Sequence, residues 1–123
     1  MNAKQAVVKL ASLAQETRLR IFRLLVETGK DGMNASAIAE VLKIPPATFS
    51  FHVAHLVRAG LVTARQESRF IFYSVNYTDM DDLIAYLAKN CCQGNSCLPK
   101  TATVNSNEKP QKVAKKALKK ESA

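Results

Sequence analysis

Pro45–Val62, PPATFSFHVAHLVRAGLV, is the stretch that decides the fold. Phe49, Val53 and Leu56 recur at i, i+4 and i+7, which lays one apolar stripe along a helix. Pro46 suits a first helical position, where its missing N–H costs nothing. Gly60, after Arg58-Ala59, stops the helix because glycine tolerates the left-handed conformation. With the stripe inward, the outward face carries Ala47, Thr48, Phe51, Ala54, His55 and Arg58, flanked by Ser50 and His52. It offers small, hydroxyl, imidazole and cationic groups and no carboxylate. A slim, hydrogen-bonding face without negative charge is what a helix needs in a DNA major groove.

Just upstream, Ser36–Lys43 reads as a short helix, with Ser36 as N-cap and Ile38, Val41 and Leu42 inward. Ile44-Pro45 is the tight turn between the two helices, which completes a helix-turn-helix. Downstream, Leu61–Arg65 and Phe70–Val75 alternate as strands, and Gln66–Arg69 joins them as a hairpin tip. Arg65 and Arg69 near that tip are placed for phosphates or a minor groove. The fold class is mainly α with a small β-hairpin, a winged helix-turn-helix.

Further out, Asn2–Ala14 is helix-like, with Ala3, Ala6, Val7, Leu10 and Leu13 on one face. So short a helix packs on something else, and a second subunit is one option. Glu16–Glu27 is another helix, with Leu19, Phe22 and Val26 in line and Ile21, Leu24 and Leu25 widening the stripe. Arg18, Arg20 and Arg23 fit a DNA-facing row, but a solvated face on a core helix is the simpler reading. Thr28–Asn34 reads as a loop. Thr78–Asn90 is the last helix, capped by Thr78 or Asp79, with Asp79, Asp81 and Asp82 at the favourable end of its dipole. Nothing earlier in the chain obviously needs its stripe of Met80, Leu83, Ile84 and Leu87, so a dimer contact with the N-terminal helix is expected.

The 123 residues suit one domain and a tail, and 47% hydrophobic content is enough for a core. The net charge of +8 leans toward an acidic partner. Residues 99–123 hold seven Lys against two Glu, so +5 of that charge lies there and the rest of the chain is mildly basic. Residues 1–97 are therefore expected to form the DNA-binding and dimerisation domain. Residues 98–123, rich in Lys, Ala, Ser and Asn and without aromatics, are expected to be a disordered tail. No run approaches the roughly 20 apolar residues of a membrane span and no signal-peptide core is visible, so a cytoplasmic protein is expected.

Cys91, Cys92 and Cys97 are the only cysteines, three within seven residues. In a reducing compartment such a cluster argues for a thiolate site rather than a disulfide framework. Gly94 and Asn95 permit the reversal that brings Cys97 back toward the vicinal pair. Structural zinc wants four ligands, and the two histidines lie on the recognition helix. Three soft sulfurs match As(III) or Sb(III), whose lone pair takes the fourth direction, and Cu(I) also fits. A redox switch and incidental surface thiols stay open as alternatives. No base neighbours the cysteines and no phosphate loop exists, so an enzyme is not expected, nor an organic cofactor.

LASLAQETRLRIFRLLVETG (Leu10–Gly29), ATFSFHVAHLVRAGLV and SRFIFYSV together resemble the ArsR family of metalloid-responsive repressors. The resemblance covers about residues 3–97, and Ser50-x-His52 with Leu56 and Ala59-Gly60-Leu61 is its most specific part. It implies a homodimer whose first and last helices form the interface. It also implies an operator that is an imperfect inverted repeat, released when metalloid binds. On this reading Ala47, Thr48, Ser50, Phe51, His52, His55, Arg65 and Arg69 meet DNA, and His52 is equally a packing residue. Ser36–Val41 lacks the cysteine pair of the earliest-described arsenic sensors, and Asp79–Lys89 lacks the histidines of the zinc sensors. The cysteines resemble instead a subgroup with a vicinal pair and a third thiol after the last helix. A related subgroup senses methylated arsenite with two thiols, which leaves two-thiol use of Cys91 and Cys92 open. Pro45-Pro46-Ala47 replaces the polar residues that often begin the recognition helix, and Ser68 replaces the usual glycine at the wing tip.

Overall fold

The computed structural model describes residues 1–93; the expectations for Cys97 and for the tail from Leu98 lie outside them. The elements run α1 (Ala3–Leu13), α2 (Glu16–Thr28), β1 (Met33–Asn34), α3 (Ala35–Leu42), α4 (Pro46–Arg58), β2 (Val62–Glu67), β3 (Phe70–Val75) and α5 (Tyr77–Ala88). One compact unit spans Met1–Leu83, and a second begins at Ile84.

The core of the first unit gathers Ile21, Phe22 and Leu25 of α2, Ile38 and Ala39 of α3, and Phe49, Val53 and Leu56 of α4. Leu61, Val62 and Val75 close it from the hairpin side. The recognition-helix stripe is therefore buried as its spacing requires. The end of α4 is a Schellman motif: Leu61 N–H donates to Leu56 C=O and Gly60 N–H to Val57 C=O, with Gly60 at φ +86°. α3 ends in the same way on Lys43, which takes the left-handed conformation at φ 57°. Its turn of Lys43, Ile44 and Pro45 then leads into Pro46 at the first helical position of α4.

Several expectations are corrected. The segment read as a loop contains β1, so the wing is a three-stranded antiparallel sheet in the order β1-β3-β2. Met33 pairs with Tyr73 and Asn34 with Phe72. The cap of α3 is Asn34, whose side chain accepts the Ala37 N–H at 2.9 Å, while Ser36 lies inside the helix. The cap of α5 is Asn76, which accepts the Asp79 N–H at 3.2 Å, and neither Thr78 nor Asp79 serves. The hairpin is longer than read, since Glu67 pairs with Phe70 and only Ser68 and Arg69 turn the corner.

Two apolar faces also divide differently. Ala6 and Ser12 of α1 are buried and Leu13 packs on the core, while Val7, Val8 and Leu10 are exposed. Small residues let α1 lie close, and Ser12 stays satisfied by donating its hydroxyl to Lys9 C=O at 2.7 Å. Met80 and Leu83 of α5, read as spare, pack within the first unit. Lys9 reaches inward to pair with Asp79 at 3.0 Å and to donate to Ala59 C=O at 2.6 Å, tying α1 to the ends of α4 and α5.

Gly32 explains how β1 joins the sheet. Its φ is +76°, and a Cβ there would collide with the backbone carbonyl of Tyr73. Backbone inside a sheet cannot swing aside as a side chain does. Gly32→Ala is expected to destabilise the domain by about 2 kcal/mol, in the range of strained positions. Gly29, also at positive φ but with nothing near its Cβ position, is the control, and Gly29→Ala should cost less because only the backbone conformation is strained. Urea denaturation of the two variants checks the ranking; equal losses would remove the steric part of the argument.

Candidate nucleic-acid interface

α4 presents Ala47, Ser50, Phe51 and Arg58 to solvent, with Thr48, His52, Ala54 and His55 half-buried. Phe51 is 62% exposed. Its ring packs T-shaped against the rings of His52 and His55, each with centroids 5.1 Å away and planes 72–75° apart. Such T-shaped contacts hold the ring in place on the surface without burying it. Pro45 precedes the helix and makes no side-chain cap, so the first amides of α4 are left to solvent or a ligand. No acidic residue occupies the first turn, and His55 and Arg58 lie in the last.

His52 does more than flank this face. Its Nδ1 lies 3.2 Å from the Nη1 of Arg18 on α2, and the Arg18 Nε donates to Ser12 C=O of α1 at 2.7 Å. Burial, and then the Arg18 charge, lowers the His52 pKa below the usual histidine value near 6.5. Arg18 was read as part of a solvated row. It is instead a bridge between α1 and the recognition helix, and no local spacing rule relates residues so far apart in sequence. Arg20 donates to Leu42 C=O and Arg23 pairs with Glu27, so those two do lie along the surface of the core helices.

On the wing, the two arginines differ. Arg65 pairs with Glu67 at 2.6 Å, donates to Asp31 C=O, and lies over the Phe72 ring. It stands opposite Phe72 in mid-strand rather than beside the tip. Arg69 sits at the tip over Phe70, with its guanidinium carbon 5.8 Å from the ring centroid and no acidic partner among the described residues. A cleft of about 270 Å³ is lined by Asn34, Pro46, Ser50, Arg69 and Phe70, among others. Recognition helix and wing tip thus share one groove, and Ser50 and Arg69 both line it. Phe51, His52 and His55 form a second cluster farther along α4.

After α5, the backbone turns through Asn90, Cys92 and Gln93, all at positive φ. Cys91 is a half-buried free thiol. Its Sγ lies 3.5 Å from that of Cys92, which is disulfide-bonded. Among the described residues no three His, Cys, Asp or Glu side chains gather as a metal site. The 3.5 Å separation of the Cys91 and Cys92 sulfurs is the one found with Cys92 in its disulfide. Among the described residues no helix is long and apolar enough to cross a membrane.

Residues 13–65 match the family model described as a helix-turn-helix domain. The chain is 32% identical over 94 residues to the transcriptional activator HlyU of Vibrio cholerae, a match that spans 76% of this chain and 84% of HlyU. A structure of reduced HlyU superimposes with a TM-score of 0.58, covering 75% of this chain and 94% of that one. The transcriptional repressor SdpR of Bacillus subtilis is 31% identical over 87 residues, 71% of this chain and 93% of SdpR. The solution structure of Mb0332 from Mycobacterium bovis, described as a homodimeric winged helix-turn-helix DNA-binding domain and a possible ArsR-family regulator, is 26% identical. Its TM-score is 0.58, over 75% of this chain and 85% of that one. These relatives are regulators of transcription and not enzymes.

Proposed function

Because the chain belongs to the ArsR-like family of winged helix-turn-helix transcriptional regulators, we propose that it is a homodimeric repressor that leaves its operator when As(III) or Sb(III) binds its C-terminal thiols. The observation that carries the DNA-binding half is the groove lined by Ser50 and Arg69, on the same helix that exposes the ring of Phe51. In a dimer, two such faces meet successive major grooves about 34–36 Å apart. Thr48, Ser50, Phe51 and His55 then face bases, with Phe51 against a thymine methyl. Arg69, Arg65 and the start of α4 near Ala47 hold phosphates. Exposure of Val7, Val8 and Leu10 on α1 supports a subunit contact there, as does the homodimeric state of Mb0332.

DNA binding is tested with a duplex enriched from a random library by the full chain, read by fluorescence anisotropy against a scrambled duplex. Preference by a factor of about 10³ or more is expected. Equal affinity for the two duplexes would remove the regulator reading. Arg69→Gln is expected to weaken both duplexes alike and to lower the slope of log K against log salt by about 1. Phe51→Ala is expected to spare the scrambled duplex and weaken the selected one.

The thiol half rests on the vicinal cysteines, and it needs the reduced chain. A second reading is favoured by the disulfide at Cys92 beside the free Cys91 thiol. Oxidation and reduction of these thiols would then switch DNA binding without a metalloid. Release by peroxide but not by arsenite, under otherwise equal conditions, separates the second reading from the first.

A further inference from the structure

We infer that Arg18 is a positioning residue: it holds His52 as the Nε2–H tautomer, so that the recognition helix offers a hydrogen-bond donor to an acceptor on DNA. The inference rests on the DNA-binding reading and adds a residue to it. A guanidinium has five N–H donors, no acceptor, and stays protonated. Its Nη1 faces His52 Nδ1 at 3.2 Å, so Nδ1 must supply the lone pair. A neutral imidazole that accepts at Nδ1 carries its proton on Nε2. One further contact fixes the guanidinium: Arg18 Nε donates to Ser12 C=O at 2.7 Å. The Phe51 ring packs T-shaped against the imidazole and also against the ring of His55. His52 Nε2 has no hydrogen-bond partner among the described residues, and the side chain is half-exposed on the flank of α4. A donor on that helix finds phosphate oxygens, guanine O6 and N7, or adenine N7 as acceptors.

The lock also disfavours protonation of His52. Burial, and then the Arg18 charge, lowers its pKa, and Arg18 needs the Nδ1 lone pair. Removing Arg18 therefore raises the His52 pKa. A merely structural arginine, acting only on Ser12, would not move that titration.

The experiment has two arms on the full-length protein. In the first, long-range nitrogen–proton spectra of the free wild type at neutral pH read the imidazole directly. His52 is expected with its proton on Nε2 and an accepting Nδ1, and in Arg18→Leu it is expected to titrate at higher pH. A proton on Nδ1 in the wild type, or an unchanged titration in Arg18→Leu, overturns the lock. Should Arg18→Leu fail to fold, Arg18→Lys and the wild-type spectrum still decide.

In the second arm, the selected duplex is titrated with His52→Gln, which keeps a donor, and His52→Leu, which does not. Binding within about 3-fold of wild type is expected for Gln and a loss of about 10-fold for Leu. Equal binding by wild type and His52→Leu overturns the donor role alone. Loss of the distinction between selected and scrambled duplex in the wild type itself overturns the regulator reading, and the donor role with it.

Discussion

Phe49→Ala should destabilise the domain by about 3–5 kcal/mol, the largest effect expected of any single core substitution here. Phe49 is 1% exposed and begins the recognition-helix stripe. Its ring meets the edge of Tyr73 on β3, with centroids 5.5 Å apart and planes at 77°. It therefore joins α4 to the wing, the two parts that share the DNA groove. Truncation removes the apolar transfer term, leaves a cavity, and forfeits an aromatic pair that adds about 0.5–1.5 kcal/mol. Against a total stability of about 5–15 kcal/mol, the loss takes a large share. Urea unfolding at one fixed protein concentration measures it, since association of subunits makes stability depend on concentration. Val57→Ala on the same helix, 36% exposed, is the control and should lose less than about 1 kcal/mol. A loss below about 1 kcal/mol for Phe49→Ala would mean that the stripe does not carry the joint between helix and wing.

Phe49, Val53 and Leu56 were legible in the sequence because helical periodicity is local and holds over two turns. Pro46 and Gly60 were legible because each obeys a rule about its own backbone. β1 was not, since two residues are too few to show alternation, and what makes Met33 and Asn34 a strand is pairing with distant Tyr73 and Phe72. α1 departs from its hydrophobic pattern for a related reason. Hydrophobicity points Val7 and Leu10 inward, but close packing selected the small Ala6 and Ser12, leaving the larger residues outside. The same limit applied to the site. The outward face of α4 followed from subtracting the stripe, whereas the Arg18 bridge and the Arg65–Glu67 pair depend on tertiary neighbours. A polar residue within an apolar helix, such as Arg18 three residues before Ile21, is compatible with either a solvated face or a bridge. Only its neighbours in space decide.

Cys91→Ser is expected to abolish release from the operator by arsenite while leaving affinity for the operator unchanged. Under the metalloid reading, the reduced wild type should lose about 100-fold in operator affinity when arsenite binds, which corresponds to about 2.7 kcal/mol of coupling. Serine keeps the size of the side chain but not the soft thiolate that such an ion requires. The Cys91 and Cys92 sulfurs stand 3.5 Å apart, so losing one removes half of the vicinal pair. Anisotropy titrations with reductant present, with and without arsenite, on wild type and on Cys91, Cys92 and Cys97→Ser singly, test the whole set. If every single variant is blind, three thiolates hold the ion. If Cys97→Ser still responds, two thiols suffice and methylated arsenite becomes the better effector. Ligation displaces thiol protons, so the response should weaken as pH falls. Linkage adds a constraint that no arrangement of ligands escapes: if arsenite weakens DNA binding 100-fold, DNA must weaken arsenite binding by the same factor. Metalloid affinity that is identical with and without operator would exclude this mechanism even if all three cysteines bind.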